Sequence, residues 1–237
     1  MTRPIRAVFF DVDFTLIHPG PAFRGEGYRA FCERHGITVD ASRFDTAVAA
    51  ASYVLDEAQD LIYQDELFHR YTAEIIRGMG GEGDAVEQCA REMYAEWAEC
   101  RHFLLYEDVP EVLRTLSTEG YRIGLISNSH RCLVSFQSHF ELQGLIHAAL
   151  SSSEHGYMKP HPSIFAAALA QIGARPEESV MVGDSLSHDI VGARRVGMKG
   201  VLVKRSADEE GERQPPPEFA DVPIIRTLRE LPGRLRL

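Results

Sequence analysis

Cysteine is scarce in this sequence, with four residues, Cys32, Cys89, Cys100 and Cys132. Their spacing fits neither a zinc-ligand pattern nor a redox CxxC pair. The expectation is four free thiols in a reducing cytoplasm, most of them packed as small hydrophobes. Long apolar runs are missing too. No segment approaches the ~18 residues that a bilayer span requires. The run that follows Arg3 and Arg6 stops at Asp11, too short for a signal-peptide core. Basic residues are outnumbered, 25 against 35 acidic ones, for a formal charge of −10. That deficit speaks against a nucleic-acid or anionic-membrane surface, both of which gather Lys and Arg. It leaves room for a small anionic ligand, for which a few aimed donors suffice. No internal repeat is visible.

What is present is ordinary in bulk: 237 residues, 44% hydrophobic and 25% charged, enough for one large domain or two smaller ones. Its pattern changes along the chain. Residues 5–10 form an apolar run read as a strand buried on both faces. After Leu16, the turn residues His18-Pro19-Gly20-Pro21 lead into helical spacing over 22–35, 41–58, 64–78 and 83–101. The last of these places Val86, Met93 and Trp97 on one face.

From about residue 105 helix and strand alternate. Helices are expected over 110–120, 130–142, 162–172 and 186–196, and strands over 122–126, 145–150, 179–182 and 200–203. Residues 205–223, with Pro215-Pro216-Pro217, read as a polar surface loop. A short strand over 223–225 and a helix near Leu228 close the chain. This alternation predicts an α/β core with a doubly wound parallel sheet, formed by residues 1–17 and 105–237. Residues 18–104 are an inserted helical domain.

Polar residues gather at the predicted strand ends: Asp11 and Asp13 after the first, Ser127 and Asn128 after the second, and Asp184 after the fourth. Lys159-Pro160 lies in a further loop. In a parallel sheet these ends share one edge, where open α/β sheets bind ligands. The acids could hold a hard cation through oxygen. A lysine and hydroxyls suit phosphate oxygens. Taken singly, each piece is as well explained as a helix cap or a solvated strand end. Their joint occurrence at neighbouring strand ends is what points to chemistry. The histidines beside these pieces, His18, His130, His161 and His188, read mostly as surface or structural residues.

In this order and setting, four motifs resemble those of the haloacid dehalogenase (HAD) superfamily. They are Asp11-Val12-Asp13-Phe14-Thr15-Leu16, Ser127-Asn128, Lys159-Pro160 and Gly183-Asp184-Ser185-Leu186-Ser187-His188-Asp189. The insert resembles the family's C1 helical cap, and the whole resembles the phosphoglycolate phosphatase-like and REG-2-like branch.

The resemblance implies a Rossmann-like, HAD-like core and a Mg²⁺-dependent phosphatase that acts on a small phosphorylated metabolite. It implies Asp11 as the nucleophile that becomes an aspartyl-phosphate, and Asp13 as the general acid and base. Thr15, Ser127, Asn128 and Lys159 would bind the phosphoryl group. The metal would be held by Asp11, Asp13 (through its backbone carbonyl) and Asp184. Asp189 would hold Lys159 or a metal-bound water.

A sugar-phosphate phosphomutase shares every one of these motifs and stays open. A 2-haloacid dehalogenase needs neither a metal nor an acid at position 13, so Asp13 and Asp184 disfavour it. A phospho-accepting signalling module would be shorter and would lack the insert. No nucleic-acid or membrane partner is expected. The chain is read as cytoplasmic, monomeric or homodimeric.

Overall fold

The fold is described from a computed structural model, over residues 4–56, 61–205 and 216–235. The contact pattern divides the chain into two compact units, one of residues 1–18 with 105–237 and the other of residues 19–104.

The first unit is built on a six-stranded sheet. Its strands are β1 (Ala7–Phe10), β4 (Arg122–Ser127), β5 (Ile146–Ser151), β6 (Ser179–Gly183), β7 (Lys199–Val203) and β8 (Ile224–Ile225). β2 (Ile17–Pro19) and β3 (Phe103–Leu105) pair separately, where the chain passes between the units. The sheet order is β5-β4-β1-β6-β7-β8 and every neighbouring pair is parallel. This is the doubly wound sheet expected from the alternation.

β1 is central because both its faces are apolar. Ala7, Val8, Phe9 and Phe10 are wholly buried, as a strand covered on both sides by helices must be. Phe9 and Met181 join Ile126, Ile164 and Phe165 in one cluster of the core. Gly124 on β4 is needed for this packing, since a Cβ there would lie 2.5 Å from the Phe9 ring.

The expected elements recur with shifted ends. The predicted helix over 130–142 spans only Leu133–His139, and residues 129–132 run as irregular backbone. The predicted helix over 186–196 is a wide π-helical turn, Leu186–Ile190, followed by one short α-helix, Val191–Arg195. Of the polar loop over 205–223, residues 206–215 lie outside the described residues.

The second unit is helical. Gly25–Arg34, Phe44–Ala51, Asp65–Gly78 and Ala85–Trp97 stand where long helices were predicted. The stretch 41–58 is broken into Ala41–Arg43, Phe44–Ala51 and Tyr53–Asp56, and its last residues, 57 and 58, are not described. On Ala85–Trp97 the buried face is Val86, Cys89, Ala90 and Met93, spaced as one stripe of a helix. Trp97 lies between Phe23 and Phe103, with ring centroids 4.7 and 4.9 Å away. No helix among the described residues is long and apolar enough to cross a membrane.

Candidate active site

The sheet topology dictates where the polar strand ends meet. β1 lies between β4 and β6, so Asp11, Ser127 and Asp184 leave three adjacent strands at the same edge. Asp11 still belongs to the ladder, because its N–H donates to Val182 O at 2.9 Å.

The chain then turns back on itself. Phe14 adopts φ +62°, a left-handed conformation uncommon for a bulky residue. The Phe14 N–H donates to Ile17 O at 2.7 Å and the Leu16 N–H to Val12 O at 2.9 Å. The reversal returns Thr15 to the strand end, where it is fully buried and its Oγ1 donates to Asp184 Oδ1 at 3.3 Å.

Lys159 is buried beneath the same edge. Its Nζ donates to Asp11 Oδ1 at 2.5 Å and to Asp189 Oδ1 at 2.7 Å. Asn128 fixes the lysine's backbone: its Nδ2 donates to Lys159 O at 3.0 Å, and Lys159 N–H donates to Asn128 Oδ1 at 2.7 Å. Ser127 is buried, with its Oγ 2.9 Å from Ser129 Oγ.

Asp189 reaches the cluster because the turn after β6 is wide. The Asp189 and Ile190 N–H groups both donate to Ser185 O, a π-type turn of the sort found at functional sites. Asp189 Oδ2 accepts from Ser185 N at 3.0 Å. Gly183 makes the approach possible, since a Cβ there would stand 2.2 Å from Asp189 Oδ2.

Asp11, Asp184 and Asp189 thus bring one carboxylate oxygen each within 4.8 Å of one another. The one ammonium near them, Lys159, bonds Asp11 and Asp189 but not Asp184. Burial pushes the Asp11 carboxyl well above the usual range, and the charges of Asp189 and Asp184 add to this, against the pull of Lys159. Burial and Asp189 likewise raise Asp184 to about 7. Burial disfavours the Lys159 ammonium, but Asp11 and Asp189 outweigh it and hold its pKa above the ordinary value. An all-oxygen set crowded with like charge suits a hard divalent cation, which would offset the repulsion directly.

Asp13 stands apart from this group. Both of its carboxylate oxygens accept from Arg131 Nη1, each at 3.0 Å. The Arg131 side chain is fully buried. Nothing in the sequence reading singled out Arg131. A helix was expected from residue 130, and it is the irregular backbone over 129–132 that carries the guanidinium to Asp13. The available signal was a lone charged residue in the otherwise uncharged stretch Ser127 to Leu133.

Of the nearby histidines, His161 stacks on Tyr157 with centroids 4.3 Å apart, and His188 is bonded to Ser185. His18 packs on Tyr106. Arg29 of the second unit pairs with Glu26 on its own helix.

The family model for haloacid dehalogenase-like hydrolases matches residues 5–197. The glyceraldehyde 3-phosphate phosphatase of Pyrococcus furiosus is 31% identical over 85% of this chain and 82% of its own. The human N-acylneuraminate-9-phosphatase is 29% identical over 98% of this chain and 94% of its own. Among solved structures, the HAD-hydrolase YfnB from Bacillus subtilis, bound to magnesium, superposes with a TM-score of 0.73. It is 20% identical and covers 99% of this chain and 100% of that one, a likeness of fold.

Proposed function

The chain belongs to the haloacid dehalogenase-like hydrolases, and from that premise we propose that it is a Mg²⁺-dependent phosphatase of a small phosphorylated metabolite. The observation that carries this reading is the pairing of two differently served aspartates on one loop. Asp11 lies against Lys159 within the acid cluster, while Asp13, two residues on, is held by Arg131.

Asp11 is the nucleophile. Its carboxylate attacks phosphorus, the bond to the leaving oxygen breaks, and an aspartyl-phosphate forms. Lys159 favours the ionised form of Asp11, which a bound cation would favour further, and with Thr15 and Ser127 it binds the phosphoryl oxygens. Asp13 gives its proton to the leaving oxygen. It then takes a proton from the water that hydrolyses the aspartyl-phosphate, releasing inorganic phosphate and restoring Asp11.

Asp11 and Asp184 would hold the metal with the Asp13 backbone carbonyl, and Asp189 steadies Lys159, which it bonds at 2.7 Å. When bound, Mg²⁺ neutralises the crowded carboxylates and draws charge from the phosphoryl oxygens. Arg131 holds the Asp13 carboxylate, while Lys159 serves Asp11. Asn128 acts on the lysine backbone and positions the phosphate-binding loop.

The helical unit, residues 19–104, is the cap of this reading and the seat of substrate preference. The relatives' names point to phosphorylated aldehydes and sugars as the class of substrate. A phosphomutase would use the same groups but return the phosphoryl to the substrate.

The test is a phosphate-release screen over phosphorylated aldehydes, sugars and sugar acids with Mg²⁺. Stoichiometric inorganic phosphate from at least one of them is expected, with loss of turnover in excess EDTA and recovery on adding Mg²⁺. Full activity in EDTA, or isomerised substrate with no phosphate released, would overturn the proposal.

A further inference from the structure

Beyond the Asp11 centre, the same edge of the sheet carries a second cleft that the proposed reaction does not use. It holds about 360 Å³ and is lined by His18, Tyr106, Arg205, Arg226, Thr227 and Arg229, with Glu107 and Asp108 as its acids. That volume lies within the roughly 300–1,000 Å³ of small-ligand sites.

Its place follows from topology. Arg205 comes two residues after β7 and Arg226 directly after β8, so both stand at the carboxyl ends of parallel strands. This is the edge at which α/β sheets take ligands. Three guanidinium groups stand around this cleft, beside the carboxylates of Glu107 and Asp108.

The groups have different duties. Arg205 is a fixed wall. Its Nη1 donates to both Asp108 oxygens, at 2.9 and 2.8 Å, and its Nη2 to Thr15 O at 2.6 Å. Its guanidinium lies 3.9 Å over the Tyr106 ring. The Asp108 carboxylate is spent on Arg205, on Thr227 Oγ1 at 2.6 Å and on Leu228 N at 2.7 Å. Arg226 and Arg229 are exposed, and Arg226 is already engaged, its Nη1 donating to Lys204 O at 3.5 Å. Glu111 engages Arg229 through Nε at 3.0 Å, which leaves its two Nη groups as donors. Planar, forked donors of this kind recognise phosphate oxygens in pairs.

We propose that this cleft binds the phosphate group of a small anionic metabolite, at a site separate from the Asp11 centre. Arg226 and Arg229 grip the phosphate and the rigid Arg205–Tyr106 stack forms the floor. Because Arg205 also holds the Thr15 carbonyl, the floor of this cleft and the phosphate-binding loop of the Asp11 centre share one side chain. Free phosphate and a phosphorylated metabolite offer the same chemistry here, and the experiment separates them.

The test is equilibrium dialysis of the full chain with Mg²⁺ against labelled inorganic phosphate and, in a parallel arm, labelled glycerol 3-phosphate in the Asp11→Asn background. The chain is expected to lose one bound anion when Arg226 and Arg229 are both changed to Ala. The Arg226→Lys/Arg229→Lys pair should keep that anion more weakly, and unchanged thermal melting of both pairs shows that folding is not the cause. A loss in the first arm identifies free phosphate, and a loss in the second alone identifies an organic phosphate. Equal stoichiometry before and after the Ala substitutions, in both arms, would overturn the proposal. The Asp11 centre is counted independently: if it bound no phosphate, the stoichiometry would drop from one to none instead of from two to one.

Discussion

Two buried carboxylate regions of the first unit make opposite use of burial. Asp11 and Asp108 are 6% and 3% exposed, yet the Asp11 carboxyl is driven far above the usual range and Asp108 is held below it. The difference is the ratio of carboxylates to donors. Around Asp11, three carboxylates crowd together and only two of them, Asp11 and Asp189, reach the single ammonium of Lys159. Around Asp108, one carboxylate receives a guanidinium, a hydroxyl and a backbone N–H. The first region is short of positive charge and fitted to a cation and a phosphoryl group. The second is complete in itself and ties the strand ends of β7 and β8 to the start of the helix Val109–Thr118. Depth alone therefore does not mark a reactive acid.

Substitutions that remove one charge from each region should separate the two. The largest loss of turnover is expected at Asp11. Asp11→Asn should lower kcat by on the order of 10³-fold or more, as loss of a covalent nucleophile does. Its melting temperature in chelator should hold or rise, because one of three repelling charges is gone. Mg²⁺-dependent turnover near the wild-type level would break the contrast at its centre.

Asp13→Asn comes next, at ~10²–10⁴-fold for a lost proton-transfer group. That penalty should shrink with an aryl phosphate whose leaving group needs no proton. An equal penalty for alkyl and aryl substrates would show that Asp13 does not serve the leaving oxygen. Asp189→Asn should cost about 10–100-fold, the range for a residue that orients a group in direct contact with substrate or metal. Rates at saturating and limiting Mg²⁺ would tell whether the loss falls on the lysine or on the metal.

The sequence made one of the two regions visible and hid the other. Asp11, Ser127 and Asp184 follow apolar runs, and a parallel sheet brings such ends together whatever the intervening distance, so their meeting is a matter of topology. Lys159 depends on a loop, but its neighbours Pro160 and Pro162 mark that loop well.

Arg131 was illegible because helical spacing from 130 onward predicted regular backbone, and tertiary packing instead keeps 129–132 irregular. The reach of Asp189 depends on a π-type turn and on the missing Cβ of Gly183, neither of which leaves a periodic trace. The Asp108 network joins residues 97 to 120 positions apart through side chains that individually resemble surface polar groups. Nothing local distinguishes Asp108 from a solvated helix start.

The smallest effect on turnover per folded chain is expected from Asp108→Asn, and its effect should appear in stability. Burial works to raise the Asp108 pKa, but the bonds from Thr227 and Arg205, with the Arg205 charge and the Leu228 N–H, outweigh it. A carboxyl whose pKa is lower in the folded chain contributes stability above its unfolded value, about 3.9, and loses it as pH falls through the folded value. Removing the charge leaves the half-buried Arg205 without its counterion, at a cost of about 3 kcal/mol near neutral pH. Chemical denaturation of wild type and variant should therefore differ by that amount at pH 7. The two curves should converge as pH falls through and below the folded value, where both chains carry a neutral group at position 108. A gap that persisted unchanged into acid would assign the loss to packing, and a variant with normal stability but impaired turnover would place Asp108 with the reactive acids after all.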